Sequence, residues 1–330
     1  MNPIRAKSFV TSSRRRLQSV PDWPRLPASI VFDRVVGVGL DSQQRIYVAH
    51  RGDHPLLCLN PDGTLHHEIG AEVLTKTTAY DLRGPVPIPI ATRYWLHGLH
   101  VDPWDNLWIT DVGRHLVMKF SPAGELLLTL GVDGVSGCDE KLFGQPTHVC
   151  VIPTGEVFIT DGYGNSRMVK LDASGRFLAS WGVRGTEPGN FHTPHVVTRG
   201  ADGLLYMTDR ENDRIQVFNP SGALQAEWSG LHSVDGLYAA PDGSIYGSAG
   251  IDNAVIRFSP SGTIEDVWAD PGQFTYPHGI AVDASGAIYT AESGDVWSRT
   301  GDLAGSHATL LPRAGAEGSA LRKSVVVMGP

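Results

Sequence analysis

Apolar residues along this chain come in short alternating runs, each introduced by a turn signal, a pattern of half-buried β-strands. The pairing of turn and strand occurs six times, at Asp41–Val48, Asp102–Ile109, Pro153–Ile159, Ala201–Met207, Pro241–Gly247 and Asp283–Tyr289. A second unit is a tetrapeptide that ends in glycine: Asn60-Pro61-Asp62-Gly63, Ser121-Pro122-Ala123-Gly124, Asp172-Ala173-Ser174-Gly175, Asn219-Pro220-Ser221-Gly222 and Ser259-Pro260-Ser261-Gly262. Proline presets φ in four of them and glycine takes the positive-φ position in all five, so each tetrapeptide reads as a β-turn between two strands. The turns start 61, 51, 47 and 40 residues apart, the span of a four-stranded propeller blade. No stretch sustains helical periodicity over about ten residues, which argues against a helical solenoid. Six copies of the first unit therefore predict an all-β, six-bladed β-propeller. Residues 26–315 are expected to form that single domain, 1–25 a disordered N-terminal arm, and 316–330 a C-terminal tail or closing segment.

Composition narrows the partners. The 330 residues are 41% hydrophobic, enough for a sizeable core, and carry 27 Lys and Arg against 35 Asp and Glu, a net charge of -8. That balance gives no basic footprint for nucleic acid. No run of 18 apolar residues is present to span a bilayer as a helix. The first residues include Arg5, Lys7, Arg14, Arg15 and Arg16 without the apolar stretch of a secretory leader. A cytoplasmic location is expected, with a transit peptide as the alternative reading of this Arg- and Ser-rich arm. Cys58, Cys138 and Cys150 show no CxxC spacing, so neither a disulfide framework nor a thiolate zinc site is expected, and the three read as small buried hydrophobes.

The repeats can be aligned on the last residue of the strand that follows each first turn: His50, Asp111, Asp161, Asp209, Ala249 and Glu292. Fourteen residues before these lie Val36, His97, Thr147, His195, Asp235 and His278. Histidine thus occupies one register in alternate blades, about 120° apart around a sixfold ring, so three imidazoles would converge on the axis. Three neutral nitrogens with an open side are a ligand set for catalytic zinc or another divalent ion. Each taken alone would read as an ordinary surface or core histidine; the shared register is what singles them out. Arg51 and Arg210 share the position after the strand end in blades 1 and 4, and Tyr163 lies one residue further on in blade 3. Two guanidiniums, a phenol and a metal at one mouth of the channel suit an anionic substrate with an oxygen to polarise. For Arg210, with Glu211, Asp213 and Arg214 beside it, a purely structural ion pair is an equal reading.

The repeats resemble the NHL family of six-bladed propellers. Six longer motifs resemble one enzyme family in particular, the peptidyl-α-hydroxyglycine α-amidating lyases (peptidylamidoglycolate lyases). They are His50-Arg51-Gly52-Asp53-His54, Leu96-His97-Gly98-Leu99, Asp161-Gly162-Tyr163-Gly164-Asn165-Ser166-Arg167, Pro194-His195, Asp209-Arg210-Glu211-Asn212 and Pro277-His278. The resemblance implies zinc on His97, His195 and His278, Arg51 on a substrate carboxylate, Tyr163 at the reacting hydroxyl and Arg210 supporting Tyr163. It implies a lyase that cleaves the C–N bond of a small anionic N-acyl-α-hydroxyglycine to an amide and glyoxylate, with a separate hydroxylating enzyme as supplier. A metal-dependent hydrolase such as a lactonase, and a non-catalytic NHL interaction module, are the alternatives. Three departures stand out. Gly279 replaces the aspartate that helps hold a structural Ca2+ in the family, and the Val38 and Leu99 carbonyls alone make a poor hard-ion site. Gly164 and Gly144 replace a cysteine pair, which accords with a reducing compartment. Tyr276 replaces a methionine before the third Pro-His.

Overall fold

The computed structural model describes residues 15–81, 86–231, 233–294 and 320–328. They form six four-stranded antiparallel sheets and one two-stranded hairpin, and the 3-10 turn Arg210–Asn212 is the one helical element among the described residues. Blade 1 consists of Val35–Leu40, Ile46–His50, Leu56–Leu59 and Leu65–Glu68. Blade 2 runs through Leu96–Val101, Leu107–Asp111, Leu116–Phe120 and Leu126–Leu130, and blade 3 through His148–Val151, Val157–Asp161, Arg167–Leu171 and Phe177–Trp181. Pro194–Arg199, Leu205–Asp209, Arg214–Phe218 and Leu224–Ser229 make blade 4; Val234–Ala239, Ile245–Ala249, Ala254–Phe258 and Ile264–Trp268 make blade 5. The innermost strands pack on one another in chain order around the ring.

The strand ends His50, Asp111, Asp161, Asp209, Ala249 and Glu292 all fall where the turn units predict. All five glycine-terminated tetrapeptides close as turns, with the glycine N–H donating to the first residue's carbonyl at 2.8–2.9 Å. Gly63 shows why glycine is needed: its φ is +89°, and a Cβ there would lie 2.6 Å from the Trp23 indole.

Six blades with five such turns leave one outer strand unaccounted for, and the structure supplies it from the other end of the chain. Blade 6 is ordered Pro277–Val282, Ile288–Glu292, Ala320–Met328, Arg15–Ser19. Arg15–Ser19 lies inside the segment 1–25 that the sequence predicts to be a disordered arm, and the expectation is corrected for these residues. It pairs in register from Arg15 with Met328 to Ser19 with Ser324. Its central Leu17 is 7% exposed and packs with Val255, Trp268, Phe274 and Ile280, while Arg15 reaches Asp266 at 3.1 Å. Charge and composition hid this strand because its outward residues are Arg15, Arg16 and Gln18, with Leu17 alone signalling burial. Of the predicted boundaries, residues 1–14, 295–319 and 329–330 lie outside the described residues.

A hairpin, Thr77–Asp81 paired with Ile88–Arg93, stands between blades 1 and 2, which explains why the first turn interval is the longest. The Trp95 indole N–H lies 3.1 Å from the Thr77 carbonyl and 3.2 Å from that of Ala91, and the Tyr80 carbonyl accepts from the Gln145 amide at 2.7 Å. The hairpin therefore buttresses the loops of blades 2 and 3 at the end of the channel where Tyr163 packs. Leu17→Ala is expected to lower the unfolding free energy by about 2–3 kcal/mol in urea titrations; an unchanged midpoint would mean that the N-terminal strand does not close the ring.

Candidate active site at the propeller axis

The register prediction rests on backbone irregularity that the sequence does not display. In five of six blades the pairing of the innermost strand with its neighbour slips at the register position: Leu96 faces Asp111 but Leu99 faces Ile109, Pro194 faces Asp209 but Val197 faces Met207, and Pro277 faces Glu292 but Gly279 faces Ala291. Val36 and Asp235 sit at the same slip in blades 1 and 5. A bulge turns one side chain out of the regular alternation, and here it aims each histidine at the axis. The bulge also frees an N–H, and a hydroxyl on the adjoining strand takes it in blades 2 and 4: Thr110 accepts from Gly98 at 2.7 Å and Thr208 from Val196 at 2.9 Å.

His97, His195 and His278 converge as predicted. Their ring centroids are 4.7–5.0 Å apart, and one nitrogen from each lies within 4.8 Å of the others. Each Nδ1 faces a backbone carbonyl at 2.7 Å: His97 faces Thr147, His195 faces Asp235 and His278 faces Val36. These acceptors are the register residues of blades 3, 5 and 1, so every histidine is anchored by the following blade. A carbonyl can only accept, so Nδ1 carries the proton and Nε2 presents a bare lone pair. Burial pushes His278 down to about 3 and holds His97 and His195 well below the ordinary imidazole value; the Arg51 and Arg210 guanidiniums add to it. The Nε2 atoms of His97 and His195 stand 3.2 Å apart. Facing lone pairs at that distance repel unless a proton donor or a cation lies at them, and the three nitrogens together offer a site that could hold a metal ion.

The other predicted residues lie around this tripod. The Tyr163 hydroxyl is 2.8 Å from His97 Nε2 and 3.1 Å from His195 Nε2. Arg210 Nη1 reaches that hydroxyl at 3.5 Å and stacks its guanidinium 5.5 Å from the ring. Arg51 stacks 4.8 Å over Trp95 and donates through Nε to the Leu96 carbonyl at 3.2 Å.

Asp235 is the residue that sequence reasoning passed over, although the register pointed straight at it. Its carbonyl anchors His195, and its carboxylate accepts from Arg210 at 3.3 Å, from Gly250 N–H at 2.9 Å and from Tyr276 at 3.5 Å. Burial pushes its carboxyl up to about 6 against the pull of Arg210 and of the Gly250 N–H. Tyr276 is buried, and its ring occupies the space that a Cβ on Gly250 would need.

The departures also have a physical form. Gly164 N–H donates to the Gly144 carbonyl at 2.7 Å, so the two glycines stand in contact and a backbone hydrogen bond closes the loop. At Gly279 a Cβ would sit 3.0 Å from the Val36 carbonyl and 3.2 Å from Gly37 Cα, a tight place for the missing carboxylate.

A second recurring device sets the loops that enter the innermost strands. The strand-end carboxylate accepts a backbone N–H seventeen residues upstream: Asp161 from Gly144 at 2.8 Å, Asp209 from His192 at 2.6 Å and Glu292 from Thr275 at 2.9 Å. In blade 1 His50 takes this place, its Nδ1 accepting from Gly52 at 3.2 Å and from Asp33 at 3.5 Å. Burial lowers His50 from 6.5 to about 4, so an unfolded chain takes up its proton first. The contribution is whole above pH 6.5 and is lost as the pH falls toward 4.

Elemental analysis after dialysis is expected to show each of His97→Ala, His195→Ala and His278→Ala holding about one equivalent less divalent metal per chain than wild type; unchanged content would exclude the tripod as ligands. Between pH 7 and pH 5, with a chelator present, wild type is expected to lose about 2 kcal/mol more unfolding free energy than His50→Gln. Parallel stability profiles would show that His50 is not the group that titrates.

Comparison with known proteins places this arrangement. No family model matches the chain. It is 30% identical over 301 residues to peptidyl-alpha-hydroxyglycine alpha-amidating lyase 2 of Drosophila melanogaster, covering 83% of this chain and 72% of that one. NHL repeat-containing protein 3 of Homo sapiens is 33% identical, with 82% and 80% covered. Peptidyl-glycine alpha-amidating monooxygenase A of Xenopus laevis is 30% identical over 89% of this chain, which spans about a third (34%) of that protein's length. Among solved structures, a streptogramin B lyase shares the fold with a TM-score of 0.58 at 18% identity, over 85% of this chain and 82% of that one. By sequence and architecture together, this chain belongs to the NHL-repeat β-propeller family of the peptidyl-α-hydroxyglycine α-amidating lyases.

Proposed function

We propose that the protein is a zinc-dependent lyase that breaks the C–N bond of a small N-acyl-α-hydroxyglycine, R-CO-NH-CH(OH)-COO⁻, giving R-CO-NH2 and glyoxylate. The observation that carries this reading is the Tyr163 hydroxyl, set against two bare imidazole nitrogens at 2.8 Å and 3.1 Å with the Arg210 guanidinium on its other side. His97, His195 and His278 would hold the ion, and their neutral, carbonyl-anchored form suits zinc better than calcium. When bound there, the ion supplies Lewis acidity toward a substrate oxygen.

The chain's own groups account for the rest of the reaction. Arg51 pairs with the substrate carboxylate through two parallel N–H contacts, and its stacking on Trp95 limits the rotamer freedom lost on binding. Tyr163 takes the proton from the α-hydroxyl. As the C–O bond gains double-bond character the C–N pair departs with nitrogen, and nitrogen takes up a proton, so the proton count closes without water or a redox partner. Arg210, steadied by Asp235 at 3.3 Å, stabilises the negative charge that the Tyr163 oxygen carries before it takes the α-hydroxyl proton and again once nitrogen has received it. Tyr276, where the family has methionine, ties its hydroxyl to Asp235 at 3.5 Å and narrows the choice of acyl group.

A cytoplasmic location belongs to the same reading, supported by the backbone closure between Gly144 and Gly164 in place of a disulfide. A separate hydroxylating enzyme then supplies the substrate. The likeness to NHL repeat-containing protein 3 favours a second reading, a non-catalytic interaction module, which predicts no turnover at all. Glyoxylate release from α-hydroxyhippurate decides between them. Tyr163→Phe is expected to keep the axial metal and lose about 10²–10⁴-fold in kcat, whereas Arg51→Ala is expected to act mainly on KM. Equal rates for wild type and Tyr163→Phe would remove the proposed base.

A further inference from the structure

Blade 1 carries a second group of soft ligands, on its third and outermost strands. Cys58, on Leu56–Leu59, pairs across the sheet with His67, on Leu65–Glu68; the ladder then slips, so that Leu59 faces Leu65 and His66 is left unopposed. Consecutive residues of a regular strand point to opposite faces, but a bulge breaks that alternation. Here it brings the two imidazoles together, with their Nδ1 atoms 2.6 Å apart and ring centroids at 4.8 Å. One ligand atom from each of Cys58, His66 and His67 lies within 4.8 Å of the others.

The same slip occurs in blades 2 to 5, so the geometry belongs to the fold while the chemistry belongs to blade 1. The corresponding triple is Lys119, Leu127 and Leu128 in blade 2 and Val217, Gln225 and Ala226 in blade 4, neither of which offers a soft ligand. The tautomer is also set. His67 Nε2 faces the Pro122 carbonyl of the neighbouring blade at 3.1 Å, so its proton lies on Nε2 and Nδ1 is bare toward His66. An imidazole anchored through its other nitrogen to a backbone carbonyl is the usual support of a metal-bound histidine, and the axial tripod uses the same device. Cys58 is buried, His67 half-buried and His66 exposed, which gives an ion a wall of protein on one side and a path from solvent on the other. Burial pushes the Cys58 thiol up to about 11, while the Tyr47 hydroxyl and the Arg45 cation pull it down. Ligation at neutral pH therefore exchanges the thiol proton for the ion.

We propose that Cys58, His66 and His67 form a second metal site, separate from the axial tripod, for one thiophilic cation of the zinc or copper class. One thiolate with two imidazoles discriminates against calcium and magnesium, and water completes the coordination. Such a site departs from the expectation drawn from the absence of a CxxC motif: the ligands would be neighbours through strand pairing and a bulge rather than through spacing.

Cobalt distinguishes the two sites, because the tripod contains no sulfur and only a thiolate ligand gives a sulfur-to-cobalt charge-transfer band. The full chain carrying His195→Ala, freed of metal and titrated with Co2+, is expected to bind about one equivalent with that band. Cys58→Ser in the same background is expected to abolish it, His66→Ala at the exposed position to weaken cobalt binding by about tenfold or more, and Cys138→Ser, at an exposed cysteine, to leave it intact. Zinc is expected to displace the cobalt and bleach the band. No band in the His195→Ala chain, or one that survives Cys58→Ser, overturns the proposal whatever the fate of the lyase reading.

Discussion

Three hydrogen bonds that cross from one blade to the next govern the centre of this molecule. Each runs from the Nδ1 of an axial histidine to a main-chain carbonyl at 2.7 Å, and each does three things at once. It joins neighbouring blades at the axis, fixes the ring's tilt, and selects the tautomer whose remaining lone pair faces inward. The acceptors are the register positions of the blades that lack histidine, so in the alternation of His and non-His blades each ring is held by the main chain of the next blade. A ring with histidine in every blade would lose none of the carbonyl acceptors but would crowd six imidazoles into a space sized for three. Buried beside two guanidiniums, the imidazoles stay neutral, which is the state that both the carbonyl bonds and a metal require.

Much of the fold was legible because turn chemistry is local. The proline and glycine of Asn60-Pro61-Asp62-Gly63 specify their dihedral angles without help from distant residues, and the strand that follows each first turn has a length that its alternation fixes. Counting back along a repeat then placed His97, His195 and His278 correctly, because insertions between blades do not disturb the spacing within the first two strands of each. What could not be read is what depends on pairing between distant segments. Arg15–Ser19 is polar at all but one position and becomes a strand only because Ala320–Met328 offers an open edge. The hairpin Thr77–Asp81 and Ile88–Arg93 left one trace, the longest interval between turns. The bulges leave none, since an unopposed residue such as His66 looks like any other until both strands are seen.

Around the tripod, electrostatics tie together residues that sequence reasoning treated one at a time. Asp235 holds His195 through its main chain and Arg210 through its side chain, so the residue that orients an axial histidine also steadies the guanidinium beside Tyr163. Tyr276 extends this network to the strand that carries His278. The strand-end groups His50, Asp161, Asp209 and Glu292 do comparable work one layer out, each fixing the loop that leads into an innermost strand. Arg210, for which a purely structural ion pair was an equal reading, is paired with Glu211 at 2.8 Å and Asp235 at 3.3 Å, and it also reaches the Tyr163 hydroxyl at 3.5 Å.

The composite origin of blade 6 bears on how the protein is made. During synthesis Arg15–Ser19, which becomes its outer strand, leaves the ribosome before the other described strands, and Ala320–Met328, with which it must pair, leaves after them. Until then blade 5 and the segment after it present open edges, the kind of surface on which nascent β-proteins associate wrongly. The entropy of joining such distant segments grows only with the logarithm of their separation, so the delay is set by translation more than by the search for the partner. His278 lies on the innermost strand of this late-finished sheet, and the axial centre therefore becomes whole only when Ala320–Met328 has emerged and met Arg15–Ser19.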